Sequence, residues 1–450
     1  MFSKVLVANR GAVAARVLRA LHELGVKTAA VYSEADYGAP YLELASETHA
    51  IGPAPAQESY LNQDTLVEVI KRSRAQGVHP GYGFLSENAD FAQRVIDAGA
   101  RFIGPSPRWI SAMGHKTRAR EIAAAHGMPV SKGTEVLPAE GDKVLAAARA
   151  IGFPVLVKPA GGGGGIGMLP AKNEGELLEA VERSRSMAAR GFGNAEVYLE
   201  RLIERPRHVE FQVLGDTHGG AAHLFERDCS TQRRNQKVIE EAPAPAIARS
   251  DVEAMAGRVA SMVREMGYDN IGTVEMLYGP DGSFSFLEMN TRLQVEHGVT
   301  EEVTGVDLVK AQVRSAAGEP LAAILPARIE LKGHAIQARV YAEDPRNFYP
   351  SPGKLKVFRP PQDPGVRVET GYAEGRDVTP HYDPMLAKVI VHAATREQAI
   401  DRLIEALGAF EIQGPKNNIP AVLAVLRSEA FRAGEVHTGI IPQVLAKKGK

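Results

Sequence analysis

Residues 4–8, KVLVA, read as an apolar strand, and Val13, Val17, Leu18, Leu21 and Leu24 then recur at helical spacing up to Gly25. KTAAVYS follows as a second apolar run. The pattern predicts a β-α-β unit and hence a parallel sheet. A last strand of that sheet, RFIGPS, ends near residue 106. Before it, HPGYGFLSENADF (79–91) is dense in Gly, Pro and Asn and reads as a loop at a strand end. Helical spacing returns over 116–126 and 141–151, and Pro154 leads into the strand VLVK. A helix over 174–189 and the strand EVYLERLI (196–203) complete a small α/β unit, a candidate lid hinged on glycines.

The second half of the chain alternates more than it spirals. HVEFQVLGD (208–216) and AAHLFERDCS (221–230) predict a hairpin across THGG, and a helix follows over 251–266. GTVEMLY (272–278) leads through Gly279-Pro280-Asp281-Gly282 into FSFLEMNTRLQVEH (284–297). There Glu288, Asn290, Arg292, Gln294 and Glu296 fall at every second position, which on one extended strand places five polar groups on one face. A turn centred on Asp281-Gly282 pairs Phe284 with Gly279, Phe286 with Leu277, and Glu288 with Glu275. Further on, 306–318 reads as helix, HAIQARVYAEDP (334–345) as an alternating strand, PSPGKLKVF (350–358) and MLAKVIVHA (385–393) as strands, and 396–410 as helix.

Composition narrows the class. The 450 residues are 44% hydrophobic and 24% charged, enough for two to four domains or subdomains. A net charge of −1 without a basic run disfavours nucleic acid and anionic membranes as partners. No apolar run approaches the ~20 residues of a membrane span, and Met1 stands too close to the first strand for a signal peptide. One cysteine, Cys229, excludes an intrachain disulfide and a Cys-based metal site. A cytoplasmic protein is expected.

Three stretches then carry candidate chemistry. Glu275 opposite Glu288 is repulsive unless a cation lies between them. Glu, Glu and Asn offer only hard oxygen donors, which suit Mg²⁺ or Mn²⁺ carrying nucleotide phosphates; the alternative is a decorated surface strand. Gly161 to Gly165, directly after a strand ending in Lys158, can wrap phosphate with backbone N–H groups or can be a plain linker. The cations of QRRNQKVIEEAPAP (232–245) form either an anion site or a solvated charge run, and Lys116 alone reads as a surface charge at a helix start.

Together the motifs resemble the biotin carboxylases, the ATP-grasp component of biotin-dependent carboxylases, along essentially the whole chain. The signatures are ANRG (8–11), HPGYGFLSEN (79–88), the glycine loop (161–167), RHVEFQV (207–213), ERDCS–QRRNQKV (226–238), EMNTRLQVEH (288–297) and RVYAEDP (339–345). The resemblance implies an α/β ATP-grasp fold. Its divisions are a Rossmann-like domain (1–114), a helical connector (115–130), a lid (131–203), a catalytic core (204–330) and a C-terminal domain (331–450). It implies that Lys116, Lys158 and His208 hold ATP phosphates under Gly164 and Gly165. Glu200, Arg201 and Ile203 take the adenine edge, and Gln232 and Asn235 further line the nucleotide. Glu275 and Glu288 contact ATP through the metal that they bind with Asn290. Lys237, Arg292, Gln294 and the Val295 backbone hold bicarbonate, Glu296 is the base that deprotonates it, and Arg339 stabilises the enolate form of biotin. The reaction so implied joins bicarbonate to ATP as carboxyphosphate, which breaks down to CO₂ and phosphate before biotin is carboxylated.

This sequence departs from the usual family pattern at Ala12, Ile166, Arg201, Asn235 and Gly298. Ile166, Asn235 and Gly298 look more like the carboxylase domain of urea carboxylases than that of acetyl-CoA carboxylase. No Ala-Met-Lys-Met biotinylation site is present. The resemblance therefore implies biotin on a separate carrier protein, a separate carboxyltransferase that chooses the acceptor, and a homodimer. Two other readings share the nucleotide residues: an ATP-grasp carboxylate–amine ligase, and a nucleotide-binding protein without chemistry.

Overall fold

The computed structural model describes residues 1–161 and 166–447. The apolar runs at Lys4–Val7 and Lys27–Tyr32 join three shorter strands in a five-stranded parallel sheet, in the order Glu47–Ala50, Lys27–Tyr32, Lys4–Val7, Gly77–His79, Arg101–Phe102. Helix Gly11–Glu23 buries Val13, Val17, Leu18 and Leu21, the residues whose spacing predicts it. Strand order reverses between Lys4–Val7 and Gly77–His79, and in such sheets a crevice opens beyond the carboxyl ends of the strands at that point. Residues 8–11 and 80–83 form its two lips. Asn9 Nδ2 ties them together by donating to the carbonyls of Pro80 (2.6 Å) and Tyr82 (2.8 Å).

The close approach of backbone here requires glycine. Gly81 has φ +64, and a Cβ there would lie 2.8 Å from Val13 and 2.9 Å from Asn9. The turn is fixed from the strand side by His79, which is fully buried and accepts the Gly81 N–H on Nδ1 at 3.0 Å. Burial holds the His79 imidazole down at about 3. Folded His79 therefore binds fewer protons than unfolded His79 at every pH below about 6.5, and its contribution to stability falls as pH drops from there towards 3. The expected slope from this one group is about 1.4 kcal/mol per pH unit. Thermal unfolding of His79→Gln between pH 7 and 5 is expected to depend less steeply on pH than that of the parent.

Eight further strands build one antiparallel sheet, in the order Phe284–Asn290, Ile271–Tyr278, Arg207–Gly215, Ala221–Arg233, Gln236–Ala242, His334–Tyr341, Met385–Ala393, Val366–Thr370. It runs without a break across residues 330 and 331, because Gln236–Ala242 pairs with His334–Tyr341. Strands that carry the candidate metal residues and the strand that carries Arg339 are thus held on one platform. At its centre the fully buried Arg227 bonds Glu210 (2.6 Å), Gln212 (2.7 Å) and Thr300 (2.9 Å). A smaller three-stranded sheet, Leu169–Ala171, Val155–Pro159, Val197–Arg201, packs on helices Gly141–Ile151 and Glu174–Phe192 through Val144, Val155, Val157, Leu177 and Leu199.

Candidate active site

A cleft of about 880 Å³ lies between the N-terminal crevice, the small sheet and the eight-stranded sheet. Every site residue expected from the sequence lines it, apart from Gly164 and Gly165, which lie outside the described residues. The route by which the chain assembles it differs from expectation at two points.

The first concerns register. The expected pairs Phe284–Gly279 and Phe286–Leu277 do not form; Phe284 faces Tyr278 and Phe286 faces Met276. The turn is displaced by one residue, closed by Gly279 N–H donating to the Ser283 carbonyl at 2.9 Å. A β-bulge at Leu287 absorbs the difference, so Glu288 does face Glu275. The second concerns the alternating row. The strand ends at Asn290, and Arg292, Gln294 and Glu296 follow in irregular chain that leads into helix His297–Thr304. One strand face does not carry all five groups. Side-chain bonds gather them instead: Arg292 donates to Gln294 Oε1 (2.8 Å) and Asn290 Oδ1 (3.0 Å), and Gln294 donates to Glu275 Oε1 (3.2 Å).

Lys237 is the electrostatic hub. Its Nζ lies 2.5 Å from Glu210, 2.7 Å from Glu275 and 2.7 Å from Glu296. Burial alone would lower this ammonium, but Glu210, Glu275 and Glu296 together hold it well above the usual lysine range. Glu296 is fully buried, and Arg339 donates to its other oxygen at 3.0 Å. Burial works against its charge, yet Lys237, Arg339 and Arg227 hold its carboxyl well below the usual range, so Glu296 is ionised.

Glu288 is pushed the other way, first by burial and then by the charge of Glu275, with Lys116 opposing. A hard dication between the two carboxylates removes both costs. Glu275, Glu288 and the amide oxygen of Asn290 offer only oxygen donors, although Asn290 here donates its Nδ2 to Glu275 at 2.9 Å and gives its Oδ1 to Arg292, so the residue types fit Mg²⁺ or Mn²⁺.

Towards the small sheet, Lys158 and Lys116 point into the cleft. Glu200, which lines the cleft, accepts from Lys158 (3.0 Å), Arg120 (3.0 Å) and Tyr198 (2.8 Å), so its carboxylate fixes cations. Burial and the neighbouring Lys158 lower the Lys116 ammonium, with Glu288 opposing. Arg201 turns its guanidinium to the Phe153 carbonyl (2.6 Å). Gln232 donates to His208 Nδ1 at 2.8 Å, and His208 Nε2 lies 2.9 Å from Glu275. Asn235 and Arg234 form the two-residue turn between Arg233 and Gln236, with φ +63 and +49. Both positions need left-handed backbone, which asparagine tolerates better than most residues.

Sequence reasoning missed several groups that hold these residues in place. Glu87 accepts from Arg292 Nε at 2.7 Å across 205 residues of chain. Lys388, fully buried, holds the Val295 carbonyl at 2.8 Å. Glu240 accepts from Arg339 Nε. Glu210 alone had a signal, since it alternates with His208 and Gln212 along its strand.

Family models match the chain in three consecutive segments: the biotin carboxylase N-terminal domain over residues 1–110, the carbamoyl-phosphate synthase L chain ATP-binding domain over 115–324, and the biotin carboxylase C-terminal domain over 337–443. The chain is 47% identical over 448 residues to a biotin carboxylase of Halalkalibacterium halodurans, covering 100% of this chain and 99% of the relative. It is 48% identical over 447 residues to a biotin carboxylase of Allochromatium vinosum, covering 99% of each. The biotin carboxylase domain of Hydrogenobacter thermophilus 2-oxoglutarate carboxylase, solved with MgADP, ADP and bicarbonate, superposes with a TM-score of 0.95 at 42% identity, covering 98% of each chain. With matches of this extent in sequence and in fold, the chain belongs to the biotin carboxylase family of ATP-dependent ligases.

Proposed function

We propose that this chain uses MgATP and bicarbonate to carboxylate biotin carried by a separate protein, with the site residues in the following roles. Lys237, Arg292, Gln294 and the Val295 backbone hold bicarbonate. Glu296 takes its proton as the bicarbonate oxygen attacks the γ-phosphate, giving carboxyphosphate and ADP. Carboxyphosphate breaks down to CO₂ and phosphate. The phosphate takes the proton of the biotin ureido nitrogen beside Arg339, and that nitrogen bonds to CO₂. Lys116, Lys158 and His208 offset the negative charge of the ATP phosphates, and the segment from Glu200 to Ile203 meets the adenine edge. Glu275, Glu288 and Asn290 would hold Mg²⁺, which when bound neutralises phosphate charge that otherwise repels bicarbonate.

The single observation that carries this reading is the junction at Glu296. One carboxylate meets Lys237 at 2.7 Å from the strand of the nucleotide half and Arg339 at 3.0 Å from the strand beyond it. A bound anion between Lys237 and Arg292 shares Lys237 with Glu296, which raises the basicity of Glu296 where the proton must be taken. A carboxylate–amine ligase has no use for Arg339 at this place. The reading brings with it a biotin carboxyl carrier protein, a carboxyltransferase, a second copy of this chain and a cytoplasmic setting. Among the described residues no helix is long and apolar enough to cross a membrane. Relatives of near-equal identity bear the names of carboxylases with different acceptors, pyruvate and methylcrotonoyl-CoA among them, which supports an acceptor set by the partner.

The metal roles are tested by Glu288→Ala. The Mg²⁺ concentration for half-maximal ADP release is expected to rise at least about tenfold, the effect of losing roughly 1.4 kcal/mol of metal binding. An unchanged Mg²⁺ requirement would remove Glu288 from the metal set.

A further inference from the structure

Arg339 is held by two carboxylates, and only one of them has a place in the chemistry above. Its Nη2 donates to Glu296 at 3.0 Å, and its Nε donates to Glu240. Glu240 is fully buried on strand Gln236–Ala242, directly across from Gln337, whose Nε2 also donates to it at 3.0 Å. A guanidinium that leans on Glu296 alone loses its ionic partner when that carboxylate takes a proton. A second, permanent acceptor at Nε keeps its plane and direction fixed through that step. The arrangement has an electrostatic cost, because burial and the charge of Arg339's other partner both weigh on the Glu240 carboxylate; burial pushes it up, and Arg339 only partly offsets this.

We propose that Glu240 is a positioning residue for the second half of the reaction: it anchors Arg339 through Nε, so that the guanidinium stays aimed at biotin while Glu296 is engaged with bicarbonate. The inference rests on the proposed role of Arg339. It separates two rates. ADP release that needs only bicarbonate depends on Glu296 and Lys237, whereas the increment caused by biotin depends on Arg339 being in place.

The test measures ADP release by the full chain with MgATP and bicarbonate, with and without free biotin, for the parent, Glu240→Gln and Glu240→Ala. ATP binding by each variant serves as the folding control. Loss of one charge-assisted bond to a guanidinium predicts that Glu240→Ala lowers the biotin-stimulated increment at least about tenfold more than the biotin-independent rate. Glu240→Gln keeps one acceptor oxygen, enough for Arg339 Nε at the loss of the Gln337 bond and of the charge, so that variant is expected to fall between parent and Glu240→Ala. Equal loss of both rates would mean that Glu240 only supports the fold and would overturn the proposal. So would a full biotin increment in Glu240→Ala. Failure of the underlying functional reading has a different signature, since the parent itself would then show no response to biotin.

Discussion

Glu296→Gln is expected to lower bicarbonate-dependent ADP release by roughly 10²- to 10⁴-fold, the range for loss of a positioned general base. ATP binding is expected to persist, since the nucleotide-facing residues lie on other segments of the chain. Glutamine keeps the shape of Glu296 and its one carbonyl oxygen can still accept from either Lys237 or Arg339, which in the parent meet different oxygens, so the volume of the fully buried side chain is preserved while one of the two bonds is lost. What disappears is the carboxylate that Lys237, Arg339 and Arg227 keep ionised against burial. Single-turnover ADP formation separates the two effects. A variant with near-parent turnover would remove Glu296 from the base role.

Lys237→Met has the second large effect, and it combines chemistry with stability. Glu210, Glu275 and Glu296 are each buried, and the Lys237 ammonium is the cation they share. Without it the remaining cationic or imidazole neighbours are Arg227 and, at 3.9 Å, His208 for Glu210, the same His208 for Glu275, and Arg339 for Glu296. Three buried carboxylates then crowd one another with too little positive charge. Breaking a buried ion pair on one side costs about 3–5 kcal/mol, so the variant is expected to unfold at a clearly lower temperature and to lose bicarbonate-dependent turnover. Adding Glu210→Gln removes one of the stranded charges. The double variant is expected to regain part of the lost thermal stability without regaining activity. A single variant as stable as the parent would show that the three carboxylates are not held together by Lys237.

The chemistry of this site was more legible in the sequence than the geometry that delivers it. Oxygen donors at Glu275, Glu288 and Asn290 and the cations Lys237 and Arg292 stand out by type and spacing. Their facing arrangement depended on a turn that is off by one residue, corrected by a bulge at Leu287 that no local pattern announces. Period-two alternation ran on past Asn290 although the strand did not, because Arg292, Gln294 and Glu296 converge through side-chain bonds. Strands Glu47–Ala50 and Gly77–His79 were missed, being short and, in the first case, polar. Long-range partners left no mark at all. Glu87 meets Arg292, and Lys388 meets Val295, only because separate parts of the chain fold onto one cleft. Resemblance to a family supplied roles for these residues, and spacing could not have done so for Arg339 or Asn235.

The most direct measurement is ADP release by the purified protein with MgATP and bicarbonate, in the absence and presence of biotin, free and attached to a carrier domain. Biotin carboxylation predicts a rate that requires bicarbonate and rises on adding biotin in at least one of the two forms. ATP binding with no response to biotin in either form would contradict it and would point the same cleft at a different acceptor.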